Sequence, residues 1–238
     1  MKKIFAIAAS ALVLAAPAIS AQEEGPTAEA VVAYMAVNWS TVGAIPLATN
    51  TLAPAGGMSW NLQYGRLTLD EDVSQSLYSG GINLSLGQGR LGINAGYVTF
   101  DCEDCDGHAT VGTRYGVQLT GGALGDARSG SRWAMGLEAE VGLAFPEDVS
   151  VMAFAGHLPI KVTLGKNVKV SPFVTPGFAY GRMSVEDESE SGTRFMVGGG
   201  VGLQFANGIG ANFGLRKVFI EQGETQFGLG FTIRPGSK

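Results

Sequence analysis

Apolar and polar side chains alternate with a period of two along most of the chain from residue 58 onward. In the stretch Trp133–Phe145 the odd positions are apolar, whereas the even positions are Ala, Gly, Glu138 and Glu140. The stretches Phe195–Phe205 and Phe227–Ile233 alternate in the same way. Because successive side chains of a β-strand point to opposite faces, this pattern predicts strands with one apolar face and one small or polar face.

The alternation marks about ten segments, each near the ~9–11 residues that a tilted membrane-spanning strand needs. Single-chain bacterial barrels usually have an even number of strands, so both ends of the barrel region are predicted on one side of the membrane. An eight-stranded barrel is the alternative, since the connection Gly121–Ser131 is long and Pro146–Asp148 is short for their predicted sides. The predicted strands are Met58–Leu69, Leu77–Leu86, Leu91–Phe100, Val111–Thr120, Trp133–Phe145, Met152–Leu164, Val168–Arg182, Phe195–Phe205, Ile209–Phe219 and Phe227–Ile233.

Composition indicates that the apolar face meets a membrane rather than a protein core. Charged residues make up 16% of the chain, against about 25% in soluble domains, and 36 of the 238 residues are Gly. Beyond residue 21, no stretch reaches the ~18 consecutive apolar residues of a spanning helix. The sequence therefore predicts an all-β fold, a transmembrane antiparallel up-and-down β-barrel. A soluble β-sandwich or a lipocalin-like barrel, with a more charged outer face, is the alternative.

The N-terminal residues predict export of the chain. Lys2 and Lys3 precede the apolar run Ile4–Ala16, small residues follow, and Ala21 is the favoured cleavage point, as in a secretory signal peptide. Loss of the two lysines takes the formal charge from −5 to −7, and this negative charge without a basic patch argues against nucleic-acid binding. The predicted domains are a signal peptide at 1–21, an N-terminal segment at 22–57 with a candidate short helix and a linker, the barrel at 58–234 and a tail at 235–238.

The repeated Gly-x-Gly strand pattern and the closing strand Gly228–Ile233 resemble those of small outer-membrane β-barrels, broadly the OmpA-like and OmpW-like group. The resemblance covers residues 58–234 and departs at the end, where Arg234–Lys238 replace the terminal Phe of many members. It implies the outer membrane of a Gram-negative bacterium, contact with outer-membrane lipids and lipopolysaccharide, and insertion by the barrel assembly machinery. The oligomeric state stays open.

Charged side chains with inward parity form the main candidate site. Consecutive strands hold several of them, so cross-strand ion pairs form easily, and a buried charge needs a partner. One interpretation is a salt-bridged plug in a structural barrel, and the other is a narrow, porin-like pore or gate whose pairs rearrange. An excess of Arg and Lys over Glu would favour anions if a path exists. The candidates are Arg114, Arg132, Glu138, Glu140, His157, Lys161, Arg194 and Arg216.

Acidic stretches are predicted to lie in external loops and support an alternative function, a surface for binding or adhesion. They are Asp70–Asp72, Asp101–Asp106 and Glu186–Glu190. Cys102 and Cys105 lie within the second of these stretches, in an oxidising compartment, and therefore predict a local disulfide. A redox centre or half of a zinc site are the alternatives for this pair.

An outer-membrane barrel enzyme is a third hypothesis. Omptin-like proteases also use ten-stranded barrels, with Asp and His–Asp groups at the outer rim, and His108 is predicted to lie in a loop close to Asp104 and Asp106. A nucleophile with its base cannot be assembled from the spacing. We therefore assign no catalytic, cofactor-binding or metal-binding residue and expect no enzymatic activity.

Overall fold

The computed structural model consists almost entirely of β-strands in the part of the chain that it describes. Among these residues, none forms a helix long and apolar enough to cross a membrane. The described residues are 57–70, 73–86, 89–101, 107–124, 130–145, 149–185, 188–219 and 225–234. The strands are β1 Met58–Asp70, β2 Val73–Leu86, β3 Gly89–Asp101, β4 His108–Ala123, β5 Arg132–Phe145, β6 Val149–His157, β7 Ile160–Thr163, β8 Val168–Val185, β9 Glu188–Phe205, β10 Ile209–Val218 and β11 Thr225–Ile233.

The described strands form one closed antiparallel sheet. β1 pairs with β2 on one side and with β11 on the other, so the sheet closes on itself and leaves no open edge. The short strands β6 and β7 both pair with β5 and β8, and they are therefore two parts of one position in the wall. The wall has ten positions, which confirms the predicted ten-stranded barrel and excludes the eight-stranded alternative.

The break between β6 and β7 falls inside a segment that was predicted to be one strand. Pro159 has no amide N–H and cannot donate to a ladder, which explains why regular pairing stops beside it. Individual bonds replace the ladder: the Gly136 amide donates to the Pro159 carbonyl at 2.9 Å, and the Leu158 amide donates to the Pro176 carbonyl at 2.8 Å. The wall thus stays hydrogen-bonded, and the lysine that follows at Lys161 still points inward.

The two faces of the wall differ as the alternation predicts. Outward residues are large, apolar and exposed, for example Leu62 at 62% and Phe178 at 58% of full exposure. Their inward neighbours are polar or small and buried, for example Asn61 at 2%. An apolar exterior with a polar interior is the reverse of a soluble barrel and is the arrangement of a transmembrane β-barrel. The soluble alternative is therefore wrong at the level of fold.

Aromatic side chains form clusters on the outer face. Tyr64 lies 5.2 Å from Tyr78, its direct cross-strand partner, measured between ring centroids. Phe195 lies 5.5 Å from both Phe178 and Phe219. Such pairs contribute about 0.5–1.5 kcal/mol each beyond the area that they bury, so they join neighbouring strands without using the lumen.

We name the two ends of the barrel by their position relative to the ends of the strand region. The terminal end is the one where β1 begins and β11 ends, and the distal end is opposite. At the terminal end, tight turns follow β7 and β9, with Gly165 at φ 90° and Gly208 at φ 83°, conformations that favour glycine. At the distal end, the acidic residues are not confined to loops as predicted, because Asp70, Asp101 and Glu190 lie within strands.

Candidate functional site

The middle of the lumen holds a buried ion pair between neighbouring strands. Nε of Arg114 on β4 lies 3.4 Å from Oε1 of Glu138 on β5, and the two side chains are only 4% and 3% exposed. The Arg114 guanidinium also donates to Oδ1 of Asn83 on β2 at 3.2 Å. To reach Asn83 it passes over Gly92 on β3, where an added Cβ would lie 2.9 Å from that Oδ1. A glycine at position 92 thus makes the bond across β3 sterically accessible.

A second acid lies one step along β5. Oε2 of Glu140 is 3.6 Å from Nε2 of His157 on the adjacent β6, and both side chains are buried. The contact is an ion pair when the imidazole is protonated. Glu140 is also the direct register partner of Arg114, which lies opposite it on β4. The two glutamates of β5 therefore meet cationic or imidazole groups from both neighbouring strands.

A third basic group comes from the opposite wall. Arg216 on β10 is buried, and its Nε and terminal nitrogen donate to Oε1 of Gln226 on β11 at 3.2 and 2.6 Å. The charge of Arg216 acts on Glu140, as does that of Arg114. β5 and β10 lie four positions apart in a ten-position wall, so Glu140 and Arg216 come from widely separated parts of the lumen wall. We call these groups, Arg114, Glu138, Glu140, His157 and Arg216, the central network.

Apolar side chains fill the lumen on the distal side of the central network. Met196 on β9 and Val218 on β10 are buried against alanines that point inward from β6 and β8. On the other wall, Leu77 and Val98 form a second buried pair. In this distal part of the lumen, apolar clusters therefore lie beside inward polar residues such as Gln75 and Thr110.

His108 belongs to this distal part of the lumen and not to a loop. It is the first residue of β4, pairs with Val98 and is 4% exposed. The prediction that His108 lies in a loop is therefore wrong: β4 begins three residues before the predicted start at Val111, and its inward parity continues to His108. Asp104, Asp106, Cys102 and Cys105 lie outside the described residues, and the disulfide stays a prediction. Among described residues, no group of three potential metal ligands comes together.

The terminal end of the lumen opens into a mouth with a different charge balance. A cavity of about 470 Å³ lies there, with Arg132 at the start of β5 and Lys161 on β7 among its lining residues. The basic residues around it are Arg132, Lys161, Lys166, Lys169 and Arg234, and none of the described residues that line it is acidic. Burial lowers the pKa of the Arg234 guanidinium, which follows the last strand. We call these five cations and their cavity the basic mouth.

The predicted inward charges thus fall into three places. The central network holds five of the eight, the basic mouth holds Arg132 and Lys161, and Arg194 lies half-buried towards the distal end, where it donates to the Thr193 carbonyl at 2.9 Å. Sequence reasoning missed Lys169 and Arg234 in the mouth and the amide Gln226 in the middle. All three have inward parity in their strands or just past them, so the same alternation could have identified them.

Comparisons with known proteins add a resemblance in fold. No protein-family model and no curated protein matches the chain. Among solved structures it is similar to the outer membrane enzyme PagL, with 13% identity over 74% of this chain and 99% of that one and a TM-score of 0.38. It is similar to the N-terminal β-barrel domain of Pseudomonas aeruginosa OprF, with 14% identity, 75% and 98% coverage and a TM-score of 0.35.

A third similar structure is the transport unit of the autotransporter AIDA-I from Escherichia coli, with 10% identity, coverage of 89% and 99% and a TM-score of 0.44. The three proteins have different roles, and similarity at this level carries no argument about function. The strand order, closure and apolar exterior of the chain itself confirm the prediction of a small barrel of the outer-membrane type.

Proposed function

We propose that the protein is a structural outer-membrane barrel whose lumen is closed at rest by the central network. The observation that carries the proposal is the buried pair of Arg114 and Glu138 at 3.4 Å, next to the buried contact of Glu140 with His157 at 3.6 Å. The charges of Arg114 and Arg216 also act on Glu140. A wall of eight strands leaves an interior just wide enough for side chains to fill, and ten strands add little to it. The apolar clusters on the distal side support the same conclusion.

On this proposal, the terminal end lies in the periplasm, and the apolar outer face contacts the lipids of the outer membrane, including lipopolysaccharide. The barrel assembly machinery inserts the chain after a signal peptide at 1–21 has directed its export. We expect no enzymatic activity. In support, His108, on which the enzyme hypothesis depended, is buried in the lumen and not displayed at the outer rim.

Conductance in a planar bilayer tests the proposal. The refolded barrel is expected to be silent, with heat-modifiable gel migration as the control for folding. Glu140→Gln removes the carboxylate that Arg114, His157 and Arg216 share, so the cations repel one another and openings appear. Asp101→Asn is the control, because it removes an exposed carboxylate that pairs with Arg66 at the distal end at 3.6 Å. Steady openings of the wild type that Glu140→Gln leaves unchanged would contradict the closed lumen.

A narrow pore is the second candidate, and a different part of the wall favours it. Inward amide and hydroxyl groups of β1, β2 and β3 are buried without a hydrogen-bond partner among the described residues: those of Asn61, Gln63, Ser79 and the Asn94 carbonyl oxygen. Buried polar groups are normally satisfied by protein or by water, so this wall suits a hydrated path beside the central network. If the wild type conducts, Asn61→Leu and Asn94→Leu should reduce its conductance, whereas Glu140→Gln should not.

A further inference from the structure

We propose that Arg66 and Lys217, two cations on the outer face of the barrel, form a binding site for the phosphate groups of lipopolysaccharide. We call this pair the distal patch. The inference rests on the orientation proposed above, in which the distal end of the barrel lies on the side of the outer leaflet. It goes beyond the closed lumen, because the patch lies on the lipid-facing side of the wall.

Cations that point outward are confined to one half of the wall. Among the strand residues that the structure describes, the outward Arg and Lys residues are Arg66, Arg182 and Lys217, and all three lie in the distal halves of their strands. A charged side chain on the lipid face is most costly at the middle of the membrane and least costly near its surface. Long cationic side chains also extend along the wall to place their charge among the headgroups. Their common position near one end therefore places the headgroups of one leaflet there.

Lys217 interrupts an otherwise apolar series on the outer face of β10. It follows the exposed Phe213 and Leu215 at the same parity. Arg66 follows Tyr64 on the outer face of β1 in the same way. Each strand thus presents apolar side chains towards the middle of the membrane and a cation on their distal side. A lipid whose acyl chains lie below a phosphate group has the same order of apolar and charged parts.

The two cations lie on either side of β11, close enough to contact one headgroup. Lys217 pairs in register with Thr225 of β11, and Arg66 pairs with Phe227, two residues further along that strand. Two strand spacings and two residues along a strand place the Cα atoms of the two cations about 12 Å apart. Two long side chains can bridge this distance through a sugar that carries more than one phosphate group.

Aromatic rings lie next to both cations. The ring of Phe227, the register partner of Arg66, lies 6.5 Å from that of Tyr64. On β10, the ring of Phe219 lies 5.5 Å from that of Phe195. Aromatic side chains form girdles at the boundaries of the apolar band in transmembrane barrels. The rings therefore indicate that the cations lie at such a boundary, where lipid phosphates are found.

Arg66 is held by polar neighbours from the adjacent strands. Its Nη2 donates to the Ser74 hydroxyl at 2.9 Å and lies 3.6 Å from Oδ2 of Asp101. A guanidinium carries five N–H donors in a planar fork, which suits it to bind phosphate oxygens in addition to these contacts. Asp101 is 82% exposed, so water screens its attraction for Arg66 and it competes only weakly with a phosphate group.

The ligand that fits the patch is an acylated glycolipid with phosphate groups. The outer leaflet of an outer membrane consists largely of lipopolysaccharide, whose lipid anchor bears phosphates on a sugar backbone above several acyl chains. The two cations match those phosphates, and the apolar face beside them matches the acyl chains. A phospholipid offers a single phosphodiester to the two cations and therefore fits less well.

Thermal unfolding in mixed micelles tests the proposal. The refolded mature chain is heated in zwitterionic detergent without divalent cations, at increasing fractions of lipopolysaccharide, and gel migration gives the unfolding midpoint. The wild-type midpoint is expected to rise saturably. Arg66→Gln with Lys217→Gln should raise the half-saturating fraction about tenfold or more, since two charge-assisted contacts are lost. The matched control is Arg132→Gln with Lys166→Gln, which removes the same charge from exposed residues at the terminal end.

Asp101→Asn is a second variant with the opposite expected effect. It removes the carboxylate that lies beside Arg66 and repels a phosphate group, so the half-saturating fraction should fall. A higher half-saturating fraction in Asp101→Asn would overturn the assignment of Arg66 to the site.

Absence of a saturable rise in the wild type, or an equal change in both double variants, overturns the proposal. An equal rise with dephosphorylated lipopolysaccharide also overturns it, because the cations would then not contact phosphate groups. An equal rise with phosphatidylglycerol would overturn lipopolysaccharide as the occupant. The measurement needs neither a bilayer nor conductance, so its failure and that of the closed lumen are distinguishable.

Discussion

The middle and the terminal mouth of the lumen are lined by the same strands but balance charge in opposite ways. In the middle, β5 presents Glu138 and Glu140 to Arg114, and Arg216 approaches from the opposite wall. A few residues away, the cations Arg132, Lys169 and Arg234 act on Lys161 with like charge. Lys161 is as buried as the central network, whereas the other cations of the mouth are half-buried or exposed, so for Lys161 the difference lies in the neighbouring charges and not in the depth.

Inward parity alone therefore does not define the role of a charged residue in this lumen. Glu140 and Lys161 are both inward, buried and one strand apart, yet one lies in a set of mutual attractions and the other in a set of repulsions. The height of a residue along the barrel decides which of the two it joins. Substitutions at the two heights should therefore change stability in opposite directions.

The largest effect is expected from Glu140→Ala. It leaves the buried groups of Arg114, His157 and Arg216 without the carboxylate that they share, and removal of one partner of a buried pair costs about 3 kcal/mol or more. Urea unfolding of the barrel in lipid vesicles measures the loss. Asp101→Asn, at the exposed distal end, should change the free energy of unfolding by less than about 1 kcal/mol. A loss for Glu140→Ala no larger than that of the control would contradict the central network.

Gln226→Leu should have an intermediate effect. The substitution removes the amide oxygen that accepts two bonds from Arg216, at 3.2 and 2.6 Å, while keeping a side chain of similar size. Loss of an acceptor from a buried charged group costs about 2 kcal/mol. Gln118→Leu on β4 is the matched control, because Gln118 is exposed, and it should leave the urea midpoint almost unchanged.

Lys161→Met should have the smallest effect and the opposite sign. It keeps the length of the side chain but removes a cation from the neighbourhood of Arg132, Lys169 and Arg234. We expect the free energy of unfolding to rise by about 1 kcal/mol, and the rise to shrink at high salt. Lys217→Met, on the exposed face of β10, is the control. Destabilisation by Lys161→Met would contradict the expectation that repulsion from the neighbouring cations dominates at this position.

The alternation predicted the strands and the inward set well, because the period of two is a local property of the chain. It could not predict the break at Pro159, nor the register shift between Gln118 and Thr120 on β4, since both depend on the neighbouring strand. Polar sequence around His108 suggested a loop, whereas the strand simply continues through it.

The partners of the inward charges were harder to predict than their direction. Parity places Arg114 inside but does not reveal Asn83 two strands away, which it reaches because Gly92 lies between them. Nor does it show that the charge of Arg216 acts on Glu140, because strands four positions apart approach each other only once the barrel has closed. Contacts across the lumen are properties of closure and not of any single segment.

A double-mutant cycle between Glu140→Gln and Arg216→Gln tests the bridge across the lumen most directly. Urea unfolding in lipid vesicles would give the free energies of the wild type, both single variants and the double variant. If the two side chains interact across the barrel, the cycle should give a coupling energy of about 1 kcal/mol or more. Additivity within about 0.5 kcal/mol would contradict the account, since it would mean that the opposite walls do not interact through these groups.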